Sequence, residues 1–161
     1  MLIEAEFKAL LAEPGRVRER LAGLAPVERV VYRDTYFDDG RRGLAEGGRE
    51  LRVRTVSGGG RKRHLLTFKD PAVDVASGSK PELETTVADR DVVEEVLARL
   101  GQVPVISYSK ECENYRFRVG GREVLATMVR VAELTGTFLE LETLVGDESG
   151  VPEALAELRR V

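Results

Sequence analysis

One cysteine, Cys112, one histidine, His64, and no tryptophan stand among 161 residues. A single cysteine excludes an internal disulfide framework. One His with one Cys also leaves no nitrogen–sulfur cluster for a metal and no Cys–His or Ser–His–Asp nucleophile system, so any bound metal has to be held by oxygen. No apolar run is long enough to span a bilayer and no secretory leader is visible, which makes a soluble cytoplasmic protein without a membrane partner the expectation. Charge of one sign is missing too: 25 Lys and Arg face 28 Asp and Glu, a net charge of −3, and this gives no general attraction for nucleic acid. Charge therefore matters here by placement. The length fits one domain, residues 1–161, with a core large enough to stand without staples.

The first strand shows that placement. Ile3, Ala5 and Phe7 alternate with Glu4, Glu6 and Lys8, and residues two apart in a strand share a face at about 7 Å spacing. Two carboxylates so close repel unless a positive charge sits between them, and a hard divalent cation such as Mg²⁺ suits oxygen donors of this kind. Further strands are expected over 30–37, 51–56, 64–69, 82–87, 108–119, 124–131 and 138–143, with glycine turns at 57–60 and 120–121. The spacing predicts helices from Pro14 through Leu24, after Asp89 or Asp91 up to Gly101, and over Val151–Arg160. Residues 38–48 read as a long connection and 70–80 as a mobile loop.

Each charged strand repeats the inversion. Arg52 and Arg54 share one face, as do Thr67 and Lys69, Glu82 and Glu84, and Glu140 and Glu142, while Lys110, Cys112, Asn114 and Arg116 line up on another strand. Two architectures accommodate this. One is an antiparallel sheet with helices on one face and water on the other. The other curls the sheet so that the charged faces look inward across a lumen and the apolar faces pack on helices outside. Whole strands of one sign suit the second, with one wall gathering metal and the other gathering phosphate oxygens. A lumen rich in Arg and Lys is unfavourable when empty, and a polyanion with bound cations relieves it. Arg52 and Arg54 are placed to grip phosphate bidentately, with Lys8, Lys69 and Lys110 as point charges. The expected ligand is a triphosphate-sized anion, whose chemistry depends mainly on positioning and charge neutralisation.

These residues, in this order, resemble the CYTH family, the triphosphate tunnel metalloenzymes, which includes class IV adenylyl cyclases, thiamine triphosphatases and inorganic tripolyphosphatases. Glu4-Ala5-Glu6-Phe7-Lys8 is similar to the family's ExExK, Asp34–Asp38 to its DTYFD, Leu51–Arg54 to LRxR and Leu66–Lys69 to LTxK. Glu82-Leu83-Glu84 resembles the next ExE, Lys110 with Tyr115 the KxRxxY pattern, and Phe138–Glu142 the closing FxExE. The resemblance implies an α+β fold, an eight-stranded antiparallel β-barrel with flanking helices. It also implies Mg²⁺ or Mn²⁺ held by Glu4, Glu6, Glu140 and Glu142. Lys8, Arg52, Arg54, Lys69 and Lys110 would bind the triphosphate and act in catalysis, and Glu82 and Glu84 would form a lumen acidic network.

Cys112 stands where the pattern has an arginine, and Arg116 or Arg118 on the same face is placed to supply that charge. Strand 124–129 lacks an aspartate that many members carry. The overall resemblance suggests an adenylyl cyclase that turns ATP into cyclic AMP and pyrophosphate, and related cyclases suggest a homodimer. Hydrolysis of tripolyphosphate, thiamine triphosphate or a nucleoside triphosphate is the close alternative, and a non-catalytic triphosphate-binding module is a third. His64, beside Arg61, Lys62 and Arg63, reads as part of a solvated loop, Cys112 as a small unreactive lumen residue, and Tyr36 and Tyr115 as packing residues.

Overall fold

The computed structural model describes residues 1–161. In chain order its strands are β1 (Ile3–Leu10), β2 (Val27–Asp39), β3 (Glu50–Gly58), β4 (Arg61–Lys69), β5 (Lys80–Val87), β6 (Gln102–Val119), β7 (Arg122–Val131) and β8 (Phe138–Val145). The helices are α1 (Pro14–Ala22), α2 (Gly43–Glu46), α3 (Arg90–Arg99) and α4 (Val151–Leu158). All neighbouring strands run antiparallel, and the sheet closes into a barrel in the order β1-β5-β4-β3-β2-β6-β7-β8. Of the two architectures open from the sequence, the curled sheet with flanking helices is the one adopted.

Local chemistry sets the registers. Gly59-Gly60 and Gly120-Gly121 both have positive φ, at +56° and +73° and at +56° and +85°. Each pair links residues that are direct partners, Gly58 with Arg61 and Val119 with Arg122. Two-residue loops of this kind twist in the sense that antiparallel strands need, and only glycine adopts both conformations without strain. Helix α3 starts at Asp89, whose carboxylate accepts the backbone N–H of Asp91 at 2.9 Å and of Val92 at 3.1 Å.

Period-2 alternation sends one set of side chains outward under the helices. The main exterior core packs Leu21 of α1 and Val151, Ala154, Leu155 and Leu158 of α4 against Ile3, Ala5, Tyr115, Ala126, Met128 and Leu141. A second one joins Leu97 and Val93 of α3 to Phe37, Val53, Leu51 and Leu66. The opposite parity faces the interior, which is not charged throughout. Val30, Tyr32, Val56, Leu65, Cys112 and Val129 form a separate buried cluster with Val131 and Phe138 beside it. These residues alternate with the outward set on their strands, so part of the barrel interior is an ordinary apolar core and only the remainder is charged.

Three segments depart from the expectations. The connection after β2 contains the one-turn helix α2, anchored by Asp38, whose Oδ1 accepts Leu44 N–H at 2.9 Å and whose Oδ2 accepts Ala45 N–H at 3.0 Å. Residues 70–80 are tied down rather than mobile. Val73 N–H donates to the Ser79 carbonyl at 2.9 Å, and the Glu6 N–H of β1 donates to the fully buried Ser79 Oγ at 3.2 Å. Strand β6 begins well before residue 108. Its first eight residues pair with β2 alone, because pairing with β7 starts at Lys110, and a bulge lies where Tyr36 and Phe37 meet this stretch.

Candidate functional site

The inward parity brings the charged rows together around one cavity of about 710 Å³. Lys8, Arg52, Arg54, Lys69 and Lys110 line it, together with Glu4, Glu6, Glu82, Glu84, Glu140 and Glu142. All the residues expected at the site from sequence therefore converge, including Arg116, which lines the cavity but is exposed and makes no ion pair. This size lies in the range of sites that enclose a whole small organic ligand.

Register explains how the acids meet. Glu6 of β1 lies directly opposite Glu142 of β8, and Lys8 directly opposite Glu140. Cross-strand partners on one face have Cβ atoms about 5 Å apart, so four carboxylates from two adjacent strands share one patch of wall. On the facing strands, Arg52 partners Thr67, and Lys69 partners Glu82.

Most of these charges hold one another. Lys69 Nζ lies 2.6 Å from Glu4 Oε1 and 3.0 Å from Glu82 Oε2. Lys8 Nζ lies 3.1 Å from Glu6 Oε2, and Lys110 Nζ lies 3.3 Å from Glu140 Oε1. Arg52 Nη2 donates to Thr67 Oγ1 at 3.2 Å and sits 3.6 Å from Glu84 Oε2, while its buried Nε has no partner. Burial opposes ionisation of both Glu4 and Lys69, yet the close pair outweighs it, keeping Glu4 below and Lys69 above its ordinary value. Glu82, buried and next to Glu4, is pushed up instead, as is Glu6 by burial.

Glu142 is the exception. It has no hydrogen bond or salt bridge to any cation, and burial together with the neighbouring Glu4 and Glu140 pushes its carboxyl up to about 8. A half-buried acid beside Glu4 and Glu140 with no salt bridge of its own leaves room for a cation. Hard oxygen donors on neighbouring strands match the preferences of Mg²⁺ or Mn²⁺. With the lysines drawn onto the acids as they are here, no three acidic, His or Cys side chains meet around one point. The donor chemistry fits a divalent cation.

Several residues at the site were not assigned from sequence. Asp34 of β2 is fully buried and accepts Arg54 at both oxygens, Nε to Oδ1 and Nη2 to Oδ2, each at 2.7 Å. Arg54 also lies over the Tyr32 ring, 4.2 Å from its centroid. Asn114 donates to Tyr32 Oη at 2.7 Å and accepts from Thr127 Oγ1 at 3.0 Å. The available signal was parity, since Asp34 shares a face with Tyr32 and Tyr36, but which strand lies opposite β2 is not written in that strand. Cys112 belongs to the apolar interior cluster, and burial pushes its thiol up to about 12, as suits an inert residue. His64 departs from its expected solvated loop: it lies within β4, outside the cavity, with Nδ1 3.0 Å from Thr55 Oγ1.

Comparison with known proteins agrees with this architecture. A candidate adenylate cyclase of Methanocaldococcus jannaschii, MJ0240, is 26% identical over 162 residues, spanning 99% of this chain and 87% of the relative. Among solved structures, the PH1819 protein of Pyrococcus horikoshii superposes with a TM-score of 0.82 at 28% identity, covering 98% of this chain and 86% of that one. HpAC1 from Hippeastrum, a candidate adenylyl cyclase described as revealing a dominant triphosphatase activity, superposes with a TM-score of 0.68 at 17% identity, over 99% of this chain and 87% of its own. The CYTH domain model matches residues 2–161, and with the closed eight-stranded barrel and the convergent charged rows this establishes that the chain belongs to the CYTH domain family.

Proposed function

We propose that this CYTH domain is a metal-dependent enzyme acting on a triphosphate held in the barrel cavity, with adenylyl cyclase chemistry as the leading reaction. The observation that carries the reading is the cavity in which Arg52, Arg54, Lys8, Lys69 and Lys110 meet Glu4, Glu6, Glu140 and Glu142, the last of them without a salt bridge. A triphosphate drawn to Lys8, Lys69 and Lys110 competes for the same ammonium groups that now hold Glu6, Glu4 and Glu140. Substrate binding thereby frees the acids, and Glu4, Glu6, Glu140 and Glu142 would hold the metal. Bound there, Mg²⁺ or Mn²⁺ supplies charge neutralisation and Lewis acidity toward phosphate oxygens.

In the cyclase reaction, the ribose 3′-oxygen of ATP forms a bond to the α-phosphorus and gives up its proton to solvent, while the bond from that phosphorus to the bridging oxygen breaks and pyrophosphate leaves. Arg52 and Lys69 neutralise charge as it builds on the departing group, and Glu82 and Glu84 keep these two cations directed into the cavity. Hydrolysis is the second reading. The lining is dominated by groups that address phosphate, and these serve inorganic tripolyphosphate as well as a nucleotide. The HpAC1 description, in which a candidate cyclase has dominant triphosphatase activity, supports keeping both.

Incubation with ATP and with tripolyphosphate in Mg²⁺ or Mn²⁺, followed by phosphorus NMR, separates them. Cyclic AMP with pyrophosphate is the expected outcome, and orthophosphate in its place assigns the hydrolase. Turnover that persists in the Glu4→Ala, Glu6→Ala double variant would remove the acids from the reaction, and a folded wild-type protein that converts neither compound would end the enzymatic reading.

A further inference from the structure

The two arginines of β3 look equivalent in sequence, yet the structure treats them differently. Asp34 engages Nε and Nη2 of Arg54 through both of its oxygens, which uses the edge of the guanidinium that would otherwise clamp a phosphate side-on. Tyr32 covers one face of the same group; its hydroxyl accepts from Asn114, whose Oδ1 in turn accepts from Thr127, and both of these residues are 2% exposed. One edge and one face are thus held by two separate sets of buried groups, and Nη1 and one hydrogen of Nη2 remain for a ligand. Arg52 is held differently: its buried Nε has no partner, and its Nη2 bonds Thr67 and lies 3.6 Å from Glu84 Oε2.

We propose that Asp34 is a positioning residue that turns Arg54 into a fixed, directional donor at the cavity wall, presenting Nη1 and the free hydrogen of Nη2 end-on to the phosphate. This rests on the reading of the cavity as a triphosphate site. Its consequence concerns the division between binding and rate. Removing the Asp34 charge makes the cavity more positive, so Coulomb attraction alone predicts equal or tighter binding of an anion. Loss of position predicts a slower chemical step, because a displacement of about 1 Å at a reacting group costs on the order of a hundred-fold. The two effects have opposite signs, and a merely structural role for Asp34 produces neither.

The test compares wild type, Asp34→Asn, Arg54→Lys and the double variant, using calorimetry with inorganic tripolyphosphate and steady-state turnover of ATP, each normalised to binding stoichiometry so that only folded protein counts. The expected result for Asp34→Asn is a kcat lower by about ten- to a hundred-fold with tripolyphosphate affinity unchanged or higher. In the double variant the kcat should match that of Arg54→Lys alone, because Asp34 acts through Arg54. Tyr32→Leu, which frees the guanidinium face while keeping Asp34, should lower kcat in the same direction and serves if Asp34→Asn does not fold. A kcat retained in both Asp34→Asn and Tyr32→Leu, or effects of Asp34 and Arg54 that simply add, would overturn the assignment. A wild-type protein that neither binds tripolyphosphate nor converts a triphosphate fails the functional reading instead, and the two failures are therefore distinct.

Discussion

At the residue scale, most charges buried in this barrel are held in pairs, and Asp34 with Arg54 is the pair made through two hydrogen bonds. Burial works against the Asp34 carboxylate, but the two hydrogen bonds and charge of Arg54 hold its pKa below the ordinary value. A carboxyl depressed in the folded state adds stability above its unfolded pKa, near 3.9, and loses it as pH falls through the lower folded value. The stability gap between wild type and Asp34→Asn should therefore be constant from neutral pH down to about 5 and close below about 4. Breaking one side of a buried pair costs on the order of 3 kcal/mol, which sets the scale of the gap read from urea unfolding. Glu142 is the counter-case. As the acid without a cation, it should be dispensable to the metal-free fold and indispensable to metal binding. Glu142→Gln is expected to keep or raise the metal-free melting temperature and to abolish the rise that Mn²⁺ with tripolyphosphate produces in wild type, both read by calorimetry.

At the scale of elements, what was legible in the sequence is what depends on local periodicity. Alternation marked all eight strands, and the spacing of Val93 and Leu97 together with Asp89 and Gly101 bounded α3. The beginning of β6 was missed because Val103-Pro104-Val105-Ile106 is a continuous apolar run containing a proline and a bulge, so the period of two is interrupted where the strand begins. The one-turn helix α2 was missed because its anchor, the Asp38 carboxylate, precedes it by several residues and leaves no repeating pattern. Residues 70–80 looked free because their hydrogen bonds reach β1, a partner remote in sequence. For α3, where local chemistry does decide the start, Asp89→Ala removes the acceptor for two N–H groups and should cost about 1 kcal/mol in urea unfolding, without change in cavity chemistry.

At the scale of the whole molecule, the charged rows could be read strand by strand, but their meeting depends on the non-sequential neighbours β1–β8, β1–β5 and β2–β6, which bring Glu6 opposite Glu142, Lys80 beside Glu4 and Lys110 beside Tyr32. The same closure creates the apolar interior cluster, so the barrel has a packed portion that stands unaided and a charged portion whose pairs are internal substitutes for a ligand. If the cavity holds a triphosphate as proposed, this division links folding to its binding while leaving the fold stable without it. With tripolyphosphate and Mg²⁺ at a hundred times the dissociation constant, the unfolding free energy should rise by about 2.7 kcal/mol, as mass action requires of any ligand that binds only the folded chain. The increment should shrink as salt rises, because exposed approaches to the cavity are screened beyond about 8 Å at physiological ionic strength. Sulfate at equal ionic strength should give much less, since one small anion cannot engage Arg52, Lys69 and Lys110 together. A stabilisation that sulfate reproduces in full would mean that the cavity responds to negative charge alone and that its rows were not arranged for a chain of linked phosphates.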